Sequence, residues 1–338
     1  MNSQDLFIIA EIGVNHNGSL DMAQKMVDAA KSCGVSAVKF QSLSAGKLIA
    51  ESSFSNPVDF GFDDVRTLGD FWEKVSIDKS FQEKITDYCR KADIEFMSTP
   101  FDFENADILD ELGVSRFKIA SGDITHFPML EFVAQKGKPI ILSTGAATLG
   151  EIDEAIHFIR QHGEIDLTLL HCVSLYPTPP ELANLNAITQ LKSVFRLPVG
   201  YSDHTIGYHL PLAAIAKGAV VIEKHFTLDK NLPGPDHKQS ADPDDLRRIV
   251  EFGNQIRASL SEAYKMISRE EEAMRIPIRR SIVADRELLR GTPLTLADLG
   301  FKRPGDGVSA KHYREFIGKK LRKDIQKDLS ITWGMLDD

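Results

Sequence analysis

The sequence has few cysteines and too little positive charge for several classes of protein. Its three cysteines, Cys33, Cys89 and Cys172, form no CxxC pair, and an odd number of separated thiols favours reduced cysteines in the cytosol. Basic residues number 40 against 49 acidic ones, which gives a formal net charge of −9. Because a nucleic-acid-binding protein normally presents a basic face, this balance argues against nucleic acid as a partner.

Long hydrophobic runs and a leader segment are missing as well. The longest apolar runs fall well short of the roughly 20 residues that a membrane-spanning helix needs. The opening stretch from Met1 to Leu6 has no basic segment followed by an apolar one, so we expect no secretory signal. We therefore expect a cytoplasmic protein without a membrane partner. With 42% hydrophobic residues over 338 positions, the chain can form one large core and a small second domain.

Short apolar runs alternate with segments of helical periodicity over most of the chain. Eight strand–helix units over roughly 225 residues match an α/β fold of the (β/α)8 TIM-barrel type. A doubly wound open sheet is the alternative, but eight units favour closure. The predicted strands are Leu6 to Ile12, Ala37 to Phe40, Ile94 to Met97, Phe117 to Ala120, Pro139 to Leu142, Leu167 to His171, Val199 to Tyr201 and Val220 to Lys224.

The composition changes near Ser268. The stretch 268–280 is dense in charge and predicts a helical or extended linker. Short β-like runs follow, with a strong turn signal at residues 303–307. We predict a barrel domain over 1–267, the linker over 268–280 and a small β-rich domain over 281–338. About 55 residues bury too little apolar surface for a stable core of their own. We therefore expect the small domain to pack against a larger surface.

Two histidines follow apolar runs about one strand–helix unit apart. His204 stands in Gly-Tyr-Ser-Asp-His-Thr and His225 in Val-Ile-Glu-Lys-His-Phe. In a parallel barrel both would lie at the carboxyl ends of strands, where catalytic groups collect. Two neutral imidazoles there suit a divalent metal that keeps positions open for substrate oxygens. Two unrelated structural histidines are the alternative.

Other polar residues stand at the remaining strand ends. Glu11 lies inside an apolar run, and Lys39 and Lys118 lie inside strands, where a charge is costly to bury without a partner. Hydroxyl residues and Gly145 follow neighbouring strands, and such a rim suits a phosphate. Internal salt bridges from the lysines to Glu11 or Glu223 are the alternative.

The later strand ends carry further candidates. His171 and Cys172 are adjacent, and since neighbouring strand residues face opposite sides we interpret both as core rather than zinc ligands. Tyr176 precedes a proline and is a candidate ligand-facing ring. Asp236 lies in Gly-Pro-Asp-His, where it can serve as an acid/base or accept sugar hydroxyls. Turn formation is the alternative for that motif.

These motifs together resemble the sialic acid synthases, over essentially the whole chain. The segment after the linker resembles the antifreeze-like (SAF) domain of those enzymes, with Asp306 where the family usually has Asn. The resembling segments are Glu-Ile-Gly-Val-Asn-His-Asn-Gly from residue 11, Lys-Phe-Gln from 39, Ser-Thr-Pro-Phe-Asp from 98, Lys-Ile-Ala-Ser-Gly from 118, Gly-Tyr-Ser-Asp-His-Thr from 200, Glu-Lys-His-Phe-Thr-Leu-Asp from 223 and Gly-Pro-Asp-His from 234.

The resemblance implies a role for each matching residue. His204 and His225 match ligands of a divalent metal, usually Mn²⁺, with Mg²⁺ or Co²⁺ as alternatives. Ser174 stands where the family often has Asn, and Arg303 matches an arginine that one subunit offers to the other in a domain-swapped homodimer. The residues that match phosphoenolpyruvate contacts are Lys39, Thr99, Lys118, Ser121, Ser143, Ser174 and Ser202. The residues that match the sugar site are Glu11, Gln41, Tyr176 and Asp236, of which Glu11 and Asp236 are candidates for proton transfer.

The implied reaction joins phosphoenolpyruvate to an N-acetylated aldose, giving a nine-carbon 2-keto sugar acid and phosphate. We predict N-acetylmannosamine as acceptor and N-acetylneuraminate as product, with 2,4-diacetamido-2,4,6-trideoxymannose and legionaminate as the alternative. The aromatic-rich excursion from Ser42 to Lys79 is expected to cover the acceptor end. Three other functions fit less well: a synthase for a phosphorylated aldose needs a second basic cluster, a barrel hydrolase usually needs His-x-His in its first strand, and an ice-binding module leaves the polar rim unexplained.

Overall fold

The computed structural model describes residues 6–260 and 264–337. Residues 1–5, on which the expectation about a secretory signal rests, lie outside that range. Eight parallel strands form one sheet. The strands are β1 (Phe7–Gly13), β2 (Ala37–Ser42), β3 (Glu95–Pro100), β4 (Phe117–Ile119), β5 (Ile140–Ser143), β6 (Leu167–Cys172), β7 (Val199–Asp203) and β8 (Val221–His225).

The sheet closes on itself. Its hydrogen-bonded order runs β3-β2-β1-β8-β7-β6-β5-β4, so the first strand pairs with the last. The remaining neighbours, β3 and β4, are in contact and complete the circle. The predicted (β/α)8 barrel is confirmed, and each predicted strand lies within a few residues of an observed one.

Helices surround the barrel and cover it with apolar side chains. Those of the first part of the chain are α1 (Leu20–Ser32), α2 (Ala45–Leu48), α3 (Leu68–Val75), α4 (Lys79–Lys91), α5 (Phe103–Glu111), α6 (Phe127–Ala134), α7 (Leu149–Arg160), α8 (Asn186–Phe195), α9 (His209–Ala216) and α10 (Pro243–Ser259). No helix of the described ranges is long and apolar enough to cross a bilayer.

The last helix of the barrel ends earlier than the sequence pattern predicts. The pattern predicts a helix from Pro243 to Met266, but α10 ends at Ser259 and Leu260 leaves the helical conformation, with φ −93° and ψ 45°. The Ser259 hydroxyl donates to Ile256 O at 2.7 Å, a local bond that competes with helix continuation. Residues 261–263 of that prediction lie outside the described ranges.

The barrel interior is built in layers, because every second residue of a strand points inward. An apolar layer consists of Ile9, Ala37, Met97, Ile141, Leu170 and Val221. Two positions further along the same strands comes a polar layer of Glu11, Lys39, Thr99, Ser143, Cys172 and Glu223. The strand sequences thus fill one end of the barrel with hydrocarbon and place charge and hydroxyl groups at the carboxyl end.

The chain divides into two compact units, Met1–Ser261 and Glu262–Asp338. The second unit contains α11 (Arg269–Ala273), α12 (Arg275–Ile278) and α13 (Tyr313–Phe316), with β9 (Ser281–Ala284) antiparallel to β10 (Leu299–Lys302). Its own apolar core includes Ile282, Phe316 and Leu321. The division into barrel, linker and small domain at residues 267 and 280 stays a prediction.

Candidate active site

A cavity of about 1320 Å³ opens at the carboxyl ends of the barrel strands. The structure brings thirteen of the fourteen predicted site residues to its lining, whereas Arg303 lies in the second unit. The role of Arg303 therefore stays a prediction. The thirteen are Glu11, Lys39, Gln41, Thr99, Lys118, Ser121, Ser143, Ser174, Tyr176, Ser202, His204, His225 and Asp236.

Two lysines and two carboxylates form a buried ion cluster at the floor of the cavity. Lys39 Nζ lies 2.6 Å from Glu11 Oε2 and 3.7 Å from Glu223 Oε2. Lys118 Nζ lies 3.7 Å from Glu223 Oε1. Glu223 also accepts a hydrogen bond of 2.8 Å from the Ser202 hydroxyl. The internal salt bridges considered from the sequence exist, and they lie inside the cavity that a ligand would occupy.

The two carboxylates differ in their electrostatic surroundings. Burial raises the pKa of Glu11, only partly offset by Lys39. Burial also opposes ionisation of Glu223, but Lys118 and Lys39 together lower its pKa to about 2. Burial lowers the pKa of Lys118. Lys39 is also buried, yet Glu11 and Glu223 raise its pKa above the ordinary value. Opposite shifts in neighbouring carboxylates are typical of sites that move protons.

Hydroxyl groups and one glycine surround Lys118. Its Nζ donates to Ser143 Oγ at 2.7 Å, and the Gly145 N–H donates to Ser121 Oγ at 2.9 Å. A Cβ atom added at Gly145 would lie only 2.4 Å from Ser174 Oγ and 2.8 Å from Cys172 Sγ. Only glycine therefore fits at this position, and it lets small hydroxyl side chains gather beside a buried ammonium group, a setting that suits an anion.

His204 and His225 face each other across the rim, with ring centroids 5.6 Å apart. The carbonyl of Val173 can only accept, so its 2.7 Å contact with His204 Nδ1 places a proton there and leaves Nε2 with a free lone pair. Burial lowers the pKa of His204 to about 4. Nδ1 of His225 is buried and has no hydrogen-bond partner among the described residues.

The lysine that lies between Glu223 and His225 on β8 holds the two imidazoles in place. Lys224 is fully buried, donates to Asp203 Oδ2 at 2.7 Å and also bonds to the Thr205 carbonyl. It thereby ties the end of β8 to the loop that follows β7. Breaking a buried ion pair costs about 3–5 kcal/mol, so the two imidazoles are held on a rigid support.

The donor set fits a divalent ion with open positions. Within residues 6–260 and 264–337, no group of three or more His, Cys, Asp or Glu side chains is arranged to hold a metal. Two neutral imidazoles nevertheless leave most of the coordination sphere to substrate oxygens and water. The buried Nδ1 of His225 has no hydrogen-bond partner among the described residues, and coordination to a metal ion would give this atom a partner.

A loop after β8 carries Asp236 to the cavity, with Oδ2 3.7 Å from His225 Nδ1. The Gly234 N–H donates to Phe60 O at 2.8 Å, so this loop contacts the excursion between β2 and α4. The cavity wall formed by the two segments, here called the acceptor wall, combines apolar residues with five polar or charged ones. It comprises Asp59, Phe60, Gly61, Leu68, Phe71, Trp72, Lys230, Asn231, Leu232, Pro233, Gly234, Pro235, Asp236 and Lys238.

Two residues of the inward-facing polar layer escaped the site prediction. Glu223 was considered only as an ion-pair partner, although it stands two positions before His225 on β8 and so faces the same side. Cys172 was interpreted as core, but it lines the cavity with Sγ 3.1 Å from Ser121 Oγ. His171 does face the core, since its ring stacks on Tyr201. Because adjacent strand residues face opposite sides, the outward position of His171 could have predicted that Cys172 faces the barrel interior.

The fold and cavity define a (β/α)8-barrel protein with a buried lysine–carboxylate cluster. Comparison with known sequences then identifies the family: the NeuB family profile matches residues 26–265 and the SAF domain profile matches residues 279–337. The chain belongs to the NeuB family, whose members are synthases, and it carries an SAF domain. The sequence-based resemblance is thereby confirmed.

Individual relatives are similar over nearly their whole length. The N,N'-diacetyllegionaminic acid synthase of Campylobacter jejuni is 43% identical, covering 95% of this chain and 97% of that protein. The enzyme of the same name from Legionella pneumophila is 38% identical, covering 98% and 95%. The crystal structure of N-acetylneuraminic acid (sialic acid) synthetase from Leptospira borgpetersenii has a TM-score of 0.73 at 36% identity, covering 80% and 90%.

Proposed function

We propose that this protein condenses phosphoenolpyruvate with 2,4-diacetamido-2,4,6-trideoxymannose, giving a nine-carbon 2-keto sugar acid of the legionaminate type and phosphate. The observation that carries the reaction is the buried layer in which Lys39 and Lys118 alternate with Glu11 and Glu223 beneath a ring of hydroxyls. Buried cations of this kind suit a small polyanion.

The donor accounts for the lysines, the hydroxyls and Gly145. Phosphoenolpyruvate carries about three negative charges, and Lys118 and Lys39 would bind its phosphate and carboxylate. The carboxylate of Glu223 lies within 3.7 Å of both lysines, so the two ammonium groups leave an excess of negative charge. A divalent ion held by His204 and His225 would offset this excess and polarise the aldehyde oxygen of the open-chain sugar.

The chemistry needs no protein nucleophile. C3 of phosphoenolpyruvate forms the new bond to C1 of the aldehyde, and positive charge develops at C2. Water then adds to C2 and loses a proton, which gives a tetrahedral intermediate. The tetrahedral intermediate then expels phosphate by cleavage of its C–O bond. Glu11 and Asp236 line the cavity and are the two groups that would move protons of the water or of the sugar.

The acceptor assignment differs from the sequence-based prediction. Phe60, Trp72 and Leu232 give the acceptor wall an apolar part, which suits the methyl group of a 6-deoxy sugar better than a hydroxymethyl group. The two legionaminic acid synthases described above are similar over almost the full chain. Both observations favour the diacetamido sugar.

N-acetylmannosamine, giving N-acetylneuraminate, is the second candidate. Asp59 and Asn231 on the acceptor wall offer hydrogen bonds that a hydroxyl-rich sugar would use. The structural likeness to the Leptospira borgpetersenii synthetase also favours it.

The experiment is phosphate release from phosphoenolpyruvate in Mn²⁺-containing buffer, with each aldose in turn and with none. We expect release only with an aldose, and a kcat/KM at least a hundredfold higher for the diacetamido sugar, equivalent to about 2.7 kcal/mol. Equal or reversed preference supports N-acetylmannosamine. The cavity variant Lys118→Met should be inactive, and the exposed-lysine variant Lys25→Met on α1 should match the wild type. No release with either sugar would refute the proposed reaction.

A further inference from the structure

The loop that carries Asp236 is tied down by buried side chains. Residues 227–241 leave β8 and return to it, and the backbone closes with Ala241 N–H donating to His225 O at 2.7 Å and Thr227 N–H donating to Ala241 O at 2.9 Å. Near its end, Ser240 N–H donates to Asp236 O at 3.2 Å. This single helical turn folds the residues after Asp236 back towards it.

A relay of hydrogen bonds reaches the Asp236 backbone from the loop that follows the neighbouring strand β1. Asn15 is 1% exposed, and its Nδ2 donates to Phe226 O at 2.9 Å and to Ser240 Oγ at 3.0 Å. The Ser240 hydroxyl in turn donates to Asp236 O at 2.6 Å. The main chain at Asp236 is therefore fixed by groups that water does not reach, which makes its position definite.

One residue acts on the carboxylate itself. Gln239 is 2% exposed, and its Nε2 donates to Asp236 Oδ1 at 3.0 Å. Because a carboxylate only accepts, this contact also sets which way the Gln239 amide points. The other oxygen, Oδ2, is left facing His225 Nδ1 at 3.7 Å. One carboxylate oxygen is thus held and the other is presented to the cavity.

We propose that Gln239 is a positioning residue that holds the Asp236 carboxylate in the orientation needed for the acceptor sugar. The inference rests on the proposed function, because it assumes that Asp236 contacts the acceptor. Without the amide donor, the carboxylate is free to rotate about its side-chain bonds, and fewer molecules present Oδ2 at any moment. The donor phosphoenolpyruvate binds among Lys39, Lys118 and the hydroxyls, so its KM should not change.

The test is a double-mutant cycle of Gln239→Met and Asp236→Asn, with kinetics in both substrates. Methionine nearly preserves the volume and removes the donor. We expect Gln239→Met to lower kcat/KM for the aldose about tenfold, in the range found when an orienting partner is lost, with KM for phosphoenolpyruvate unchanged. In the Asp236→Asn background the same substitution should change kcat/KM less than twofold. An equal loss in both backgrounds, or full activity of Gln239→Met, would overturn the proposal.

A matched control variant and a crystal structure distinguish the positioning of Asp236 from a purely structural role of Gln239. Gln82 is a buried glutamine on α4 that donates to Asn105 Oδ1 at 2.8 Å. Gln82→Met should lower the thermal stability and leave the aldose kcat/KM of the folded protein unchanged. If Gln239→Met does not fold, the nearly isosteric Gln239→Glu replaces it in the cycle. A crystal structure of the Gln239 variant should show the Asp236 carboxylate rotated, and an unchanged carboxylate would contradict the proposal whatever the substrate is.

Discussion

His204 and His225 face each other at the ends of adjacent parallel strands, with ring centroids 5.6 Å apart. The pair lies directly above Glu223 and Ser202, since those residues occupy the inward positions two places earlier on the same strands. The four side chains therefore form one face of the cavity. The proposed metal site is therefore next to the proposed phosphoenolpyruvate site, and each of the two sites can be tested separately.

The metal proposal predicts loss of activity on chelation. Treatment with EDTA should abolish phosphate release, and Mn²⁺ should restore it. The variants His204→Ala and His225→Ala should also lose the thermal stabilisation that Mn²⁺ gives the wild type. His171→Asn is the control, because His171 packs on Tyr201 in the core. Full activity of His225→Ala in metal-free buffer would contradict the proposal.

Gly145→Ala should weaken donor binding. The added Cβ would lie 2.4 Å from Ser174 Oγ and 2.9 Å from Ser121 Oγ, so it would displace two hydroxyl groups that we assign to the phosphoenolpyruvate site. We expect the KM for phosphoenolpyruvate to rise at least tenfold, about 1.4 kcal/mol. Gly46→Ala on α2, where the new Cβ meets nothing within 4 Å in the described ranges, should behave as the wild type. Unchanged KM in Gly145→Ala would place the anion elsewhere.

Arg303→Ala tests the predicted exchange of small domains between subunits. If Arg303 acts on the partner's cavity, a heterodimer of Arg303→Ala and Lys118→Met chains contains one intact site, although each homodimer is inactive. We expect mixing under conditions of subunit exchange to restore phosphate release. Confirmed heterodimers without activity would argue against the exchange.

His16 should make the protein less stable in acid. It is fully buried beside Phe40 and Phe81, and burial lowers its pKa from 6.5 to about 4. The unfolded chain binds this proton more readily, so the stabilising contribution is complete above pH 6.5 and declines as the pH falls towards 4. By pH 5 this residue should cost about 2 kcal/mol.

Urea unfolding at pH 7 and pH 5 measures that contribution. His16→Asn should reduce the difference in unfolding free energy between the two pH values. The exposed-histidine variant His157→Asn on α7 should keep the wild-type difference. The explanation fails if His16→Asn shows the same pH dependence as the wild type.

The barrel and most of its site residues could be predicted because they depend on local pattern. Lys39, Thr99 and Ser143 each stand at a fixed position at the end of an apolar run, and strand alternation then decides which side they face. The residue range of helix α8 was not predicted, since its N-cap is Leu185 without a capping side chain. The start of helix α3 could have been predicted, because Thr67 and Asp70 form a capping box there.

The contacts that position Asp236 could not be predicted from local pattern. Asn15 and Ser240 are 225 residues apart in the chain and meet only because β1 and β8 are neighbours in the closed sheet. The choice of Gln239 as partner of Asp236 depends on a loop turn that no periodicity describes. The acceptor wall is likewise formed by two loops from distant parts of the sequence, so its full composition could not be predicted.

The proposed condensation is tested most sharply by the fate of the bridging oxygen of phosphoenolpyruvate. With ¹⁸O in the C–O–P bridge and the diacetamido aldose as acceptor, we expect the label in the released phosphate, with one nine-carbon 2-keto acid formed for each phosphate. Label retained in the organic product would show P–O cleavage. That result, or phosphate released without an aldose, would contradict the proposed condensation.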